Sequence, residues 1–137
     1  MAENRIIKLG KKCDFQSHQI EHQIGAFTDC NHGCGLAVVP PDLLQTYLQR
    51  RAYKIQALCC QCMGYFGKRK TDEEIAFAGI DALAEFIKEI GLPTTLRELG
   101  MTDKSILPEI AASCNASSGS YGDMNKEKIL EILNESF

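Results

Sequence analysis

No stretch of this chain strings together enough apolar residues to cross a membrane, and its opening Met1-Ala2-Glu3-Asn4-Arg5 has neither the apolar core nor the cleavage site of a secretion signal. A membrane-spanning helix is not expected, and a cytoplasmic setting is the expectation. A basic face is also missing. Net charge is -3, and the 15 Lys and Arg are scattered apart from Lys68-Arg69-Lys70 and Lys11-Lys12, which read as solvated turns. Nucleic acid and anionic membrane surfaces are therefore not expected partners. Sustained period-two alternation and internal repeats are absent too, which argues against a sheet. The cysteine count, 7, is odd and comes without a secretory context, so Cys13, Cys30, Cys34, Cys59, Cys60, Cys62 and Cys114 read as reduced thiols.

What is present is the composition of a soluble globular domain: 137 residues, 45% hydrophobic and 24% charged, enough for one compact domain over 1–137 with a buried core. Its punctuation is helical throughout. Ile6, Ile7 and Leu9 read as the tail of a helix ended by Gly10. Asp14 can cap a second helix running to about Phe27, followed by a tight reversal over Thr28 to Asn31 and a third helix from Asn31 or His32. Pro40-Pro41 removes two backbone donors and predicts two short helices meeting there. Ile55, Leu58, Cys59, Cys62, Met63 and Phe66 form the stripe of an amphipathic helix ended by Gly67.

Thr71-Asp72-Glu73-Glu74 is a capping sequence with acid in the first turn, and Ile75, Ala78, Ile80, Leu83, Phe86, Ile87 and Ile90 continue that helix until Gly91 and Pro93. Thr94 to Gly100 reads as a short turn of helix, Asp103 to Ala112 as another helix, and Ser113 to Gly122 as a polar loop. Asn125 or Asp123 caps a last helix through Ile129, Leu130, Ile132 and Leu133. The expected fold class is all-α, a helical bundle.

All 3 histidines, His18, His22 and His32, fall within fifteen residues. Imidazole suits iron, zinc, nickel and copper. Helical geometry alone pairs His18 with His22, four apart on one face. His32 would lie about 21 Å from His18 along a straight helix, too far to share a metal unless the reversal brings it back. The zinc-protease signature is not met, because Gln19 stands where a Glu must follow the first His and Glu21 instead precedes His22.

The segment Ser17-His18-Gln19-Ile20-Glu21-His22-Gln23-Ile24-Gly25-Ala26-Phe27-Thr28-Asp29-Cys30-Asn31-His32-Gly33 resembles the signature of iron-containing (group III) alcohol dehydrogenases, with all three histidines in register. The likeness continues through Gly35-Leu36-Ala37-Val38, Ile90-Gly91-Leu92-Pro93-Thr94 and Lys126-Glu127-Lys128-Ile129-Leu130-Glu131-Ile132, and is strongest to the butanol-dehydrogenase-like branch. In that family a divalent ion, Fe2+ or in some members Zn2+, is held by an Asp and a His from an earlier helix plus the first and last histidines of this segment. The resemblance therefore implies that His18 and His32 are metal ligands. It gives His22, the counterpart of a histidine near the nicotinamide, a part in moving protons, and so replaces the geometric pairing. The implied reaction is reversible hydride transfer between a small alcohol or aldehyde and NAD or NADP, with the metal polarising the substrate oxygen.

The family's N-terminal nucleotide-binding domain and its Asp and His ligands precede the point where this sequence begins. On that basis the chain is the C-terminal helical metal-binding domain, inactive alone, and it is expected to form a homodimer or self-associate through apolar surface left uncovered. Gly33-Cys34-Gly35 is no dinucleotide fingerprint, since no strand precedes it and Val38 stands where a third glycine belongs. Two competing readings remain. One is a structural zinc or redox module built on Cys59 and Cys62 or on Cys30, His32 and Cys34, opposed by the apolar register of Cys59 and Cys62 and by the lack of a second C-x-x-C. The other is a non-catalytic helical scaffold or partner subunit.

Overall fold

The computed structural model describes residues 9–10, 13–62, 71–118 and 124–137, without the side chains of 49–51, 54, 58, 59, 61, 62 and 118. Among the described residues there is no strand, and the fold is all-α. The helices are α1 (Gln16–Thr28), α2 (His32–Cys62), α3 (Asp72–Glu89), α4 (Leu107–Ser113) and α5 (Lys126–Glu135), with single 3-10 turns at Lys104–Ile106 and Ala116–Ser118. The expected helix tail before Leu9, the end of the stripe at Met63, Phe66 and Gly67, and the Asp123 cap lie outside the described residues, as do Lys11-Lys12 and Lys68-Arg69-Lys70.

Local chemistry sets most helix ends. Asp14 Oδ1, two residues ahead of the first residue of α1, accepts from Gln16 N at 2.8 Å. Thr71 and Glu74 exchange hydrogen bonds in a complete capping box at the start of α3. That helix ends in a Schellman motif: Gly91, at φ 76°, donates to Lys88 O, and Leu92 donates to Ile87 O. Asn125 caps α5 through Lys128 N at 2.9 Å. Thr94 to Gly100 is a series of turns instead of the expected helical turn, held by Glu98 accepting from Thr94 N and by Leu96 N donating to Ser136 O.

Helix α2 corrects the sequence expectation at the prolines. It is continuous from His32 to Cys62 with Pro40 and Pro41 inside it, where two short helices were expected. A proline within a helix costs about 3 kcal/mol, against roughly 1.5–3 kcal/mol gained for each large apolar side chain buried. Val38 and Val39 before the prolines, and Leu43, Tyr47 and Leu48 after them, are all buried in one core, so packing on both sides outweighs the lost backbone bonds.

The spine formed by α2 packs on α3, α1 and α5, while α4 closes the core against α1 and α5. Ile20 and Ile24 of α1 meet Ile110 of α4 and Ile129, Ile132 and Leu133 of α5 in that core. Two polar ties lock the arrangement. Tyr47 donates its hydroxyl to Asp14 Oδ2 at 3.0 Å, and Ser136 donates to Asp42 Oδ2 at 2.6 Å across 94 residues of sequence. Not all of the predicted α3 stripe is buried: Ile75, Ile80 and Ile87 face the core, whereas Phe86 and Ile90 stand exposed with Phe77. Among the described residues no helix is long and apolar enough to cross a membrane.

Candidate metal centre

The site begins as a turn. Thr28 donates its hydroxyl to Ile24 O, and Asp29 takes the left-handed conformation at φ 53° while its N–H closes on Gly25 O at 2.8 Å. Asn31 Oδ1 then accepts from Gly33 N at 2.9 Å and starts α2. This reversal over four residues turns the chain back along α1, so the first residue of α2, His32, returns over the face that carries His18 and His22. Ring centroids are 5.5 Å apart for His18 and His32, 5.6 Å for His22 and His32, and 6.1 Å for His18 and His22.

All three sequence-predicted site residues therefore converge. The separation expected for a straight helix is removed by the turn, and His32 is nearer to each of the other rings than they are to one another. His22 and His32 are about half exposed and His18 is partly buried, so the cluster opens outward.

Beneath the rings lies a residue that sequence reasoning weighed only against the zinc-protease signature. Glu21 has a side chain only 3% exposed, with Oε2 2.5 Å from His32 Nδ1 and 4.0 Å from His22 Nε2. The signal was available: Glu21 follows Ile20 and precedes Ile24 by three, which places it on the buried side of α1. Oε2 has no hydrogen-bond partner, so the short approach to Nδ1 lacks hydrogen-bond alignment. Space for this carboxylate exists because residue 35 is glycine. A Cβ there would lie 2.8 Å from Glu21 Cγ and 3.0 Å from Oε1.

Donor atoms of Glu21, His22 and His32 fall within 4.8 Å of one another, and among the described residues no cysteine joins such a three-donor cluster. A buried carboxylate against one imidazole, beneath three rings whose centroids lie within 6.1 Å of one another, fits a place where the rings hold a cation. Cys30 and Cys34 instead line an open groove with Asn31 and the Gly91-Leu92-Pro93 turn, bringing two sequence motifs together. The side chains of Cys59 and Cys62 lie outside the described residues. No disulfide joins the described cysteines. Gly33-Cys34-Gly35 lies in the first turn of α2, directly after another helix, and among the described residues no strand precedes it.

Residues 4–137 match the C-terminal part of the Fe-containing alcohol dehydrogenase family. The chain is 33% identical over 138 residues to a probable NADH-dependent butanol dehydrogenase 1 of Bacillus subtilis, a match covering 99% of this chain and 35% of that protein. It is 32% identical to NADH-dependent butanol dehydrogenase A of Clostridium acetobutylicum, covering 100% of this chain and 36% of that protein. The chain thus spans about a third of the length of these curated relatives. Among solved structures, NADH-dependent butanol dehydrogenase A of Thermotoga maritima superposes with a TM-score of 0.78 at 23% identity, over 90% of this chain and 33% of that one, a likeness of fold. Matched by the family model from residue 4 to residue 137, the chain belongs to the Fe-containing alcohol dehydrogenase family, to whose C-terminal domain it corresponds.

Proposed function

We propose that this chain is the metal-binding helical domain of an NAD(P)-dependent alcohol dehydrogenase acting in the cytoplasm on a small alcohol or aldehyde. The observation that carries the reading is the convergence of His18, His22 and His32 within 6.1 Å, above a buried carboxylate. His18 and His32 would hold the ion as neutral imidazoles, which leave its positive charge undiminished. His22, half exposed, would take and return the proton of the substrate hydroxyl. When bound, Fe2+ or Zn2+ supplies polarisation of the substrate oxygen, and NAD or NADP exchanges the hydride.

In this reading the dinucleotide and the remaining metal ligands are held by protein outside residues 1–137, corresponding to the further length of the relatives. Two imidazoles alone make a weak and poorly oriented site, so the isolated chain is inactive. The reading is tested by elemental analysis and calorimetry with Zn2+ on the purified chain and on His18→Ala, His32→Ala and Cys59→Ser/Cys62→Ser variants. Loss of binding with either histidine variant, and retention with the cysteine variant, is the expected result. Loss only with the cysteine variant would replace it by a zinc module, and no binding at all would leave a helical scaffold.

A further inference from the structure

We infer that Glu21 is a positioning residue for the cation site: its buried carboxylate holds His32 through Nδ1 and so leaves Nε2 as the nitrogen that faces the ion. The inference rests on the proposed role of His32 as a ligand, and adds a residue that the histidine pattern does not include.

Three observations carry it. Glu21 Oε2 is 2.5 Å from His32 Nδ1, while His22 Nε2 at 4.0 Å is beyond hydrogen-bond reach. The carboxylate is buried and Oε2 has no hydrogen-bond partner, so a small rotation of the ring or of the carboxylate that aligns Nδ1–H with it satisfies an atom that is otherwise costly to bury. Gly35 leaves the space for Glu21 in this pose, since a Cβ there would meet Cγ at 2.8 Å.

Direct ligation by Glu21 does not fit the same distances. Two donors at about 2.1 Å from one ion and subtending about 90° are about 3 Å apart, whereas Oε2 and Nδ1 are separated by only 2.5 Å. That separation is a hydrogen-bond distance, which leaves Nε2 as the nitrogen of His32 available to a cation. A carboxylate on the far nitrogen of a ligating histidine fixes the tautomer and the ring plane and raises the basicity of the metal-facing nitrogen.

The test uses the full 137-residue chain with Glu21→Gln and Glu21→Ala. In the metal-free chain, nitrogen NMR of the imidazoles should show His32 protonated on Nδ1. Glu21→Gln, which keeps a carbonyl oxygen in the same place, should retain that tautomer, and Glu21→Ala should shift it toward protonated Nε2. With Zn2+ alone as the probe, affinity should fall about 10- to 100-fold in Glu21→Ala and by less in Glu21→Gln. Far-UV circular dichroism checks that both variants fold, and the isosteric Gln variant keeps the test open if the Ala variant does not. An unchanged His32 tautomer in Glu21→Ala overturns the inference, as does a Gln variant that loses as much affinity as His32→Ala, which would make Glu21 a ligand. Failure of the unsubstituted chain to bind Zn2+ overturns the metal reading instead, because the tautomer measurement needs no metal.

Discussion

Replacing Gly35 with alanine should reverse the usual effect of that substitution in a helix. Position 35 lies in the first turn of α2, where alanine is favoured over glycine by about 0.5–1 kcal/mol. Against this gain, the new Cβ would be 2.8 Å from Glu21 Cγ, 3.0 Å from Oε1 and 3.2 Å from Cys30 Sγ. Overpacking of this kind costs about 1–3 kcal/mol, so the net effect should be a loss of up to about 2.5 kcal/mol, a few degrees in Tm for each kcal/mol. With Glu21→Ala in the background, the two closest contacts vanish and only the Cys30 thiol must shift by a few tenths of an ångström. There the same substitution should stabilise by the helix-propensity gain. Thermal and urea unfolding of the four proteins in this cycle give the coupling directly. The argument is refuted if Gly35→Ala has the same sign and size of effect in both backgrounds, since the close approach of Glu21 to Gly35 would then have no energetic consequence.

Burial pushes the Cys114 thiol up to about 11, with nearby Lys126 pulling weakly the other way. Cys114 should therefore lag behind Cys30 and Cys34 in labelling by a thiol reagent at pH 8 until the chain unfolds. A pKa raised in the folded state means stability that is fully present below the unfolded thiol value, about 9, and lost as pH climbs through about 11. Urea midpoints measured across that window should fall, and in Cys114→Ala they should fall less. Gly91→Ala places a side chain at φ 76° with nothing within 4 Å, so it should cost only the backbone strain of about 1–2 kcal/mol and leave Zn2+ binding unchanged. Exposed Phe77 and Phe86 on α3 and Ile90 at its C-cap should drive self-association, which a Phe86→Ser/Ile90→Ser double variant would reduce in sedimentation velocity; a monodisperse monomer of the unsubstituted chain would refute this.

Helix boundaries were legible because their causes are local. The Thr71 capping box, the Gly91 Schellman turn and the Asn125 cap each act through hydrogen bonds spanning three to five residues, and a sequence displays such neighbours directly. The all-α class and the clustering of histidines were legible for the same reason, as period and spacing. Burial is different, because it depends on which separated segments meet. Pro40 and Pro41 read as a break until Val38, Val39, Leu43 and Leu48 are seen sharing one core, and the α3 stripe gives no sign that Phe86 and Ile90 stand outside it. Likewise, the sequence determined that three imidazoles and a glutamate occur in one short segment. Only the tertiary structure decided that His32 folds back to 5.5 Å from His18 and that Glu21 lies buried against His32, since both depend on a left-handed Asp29 and on a glycine in the next helix.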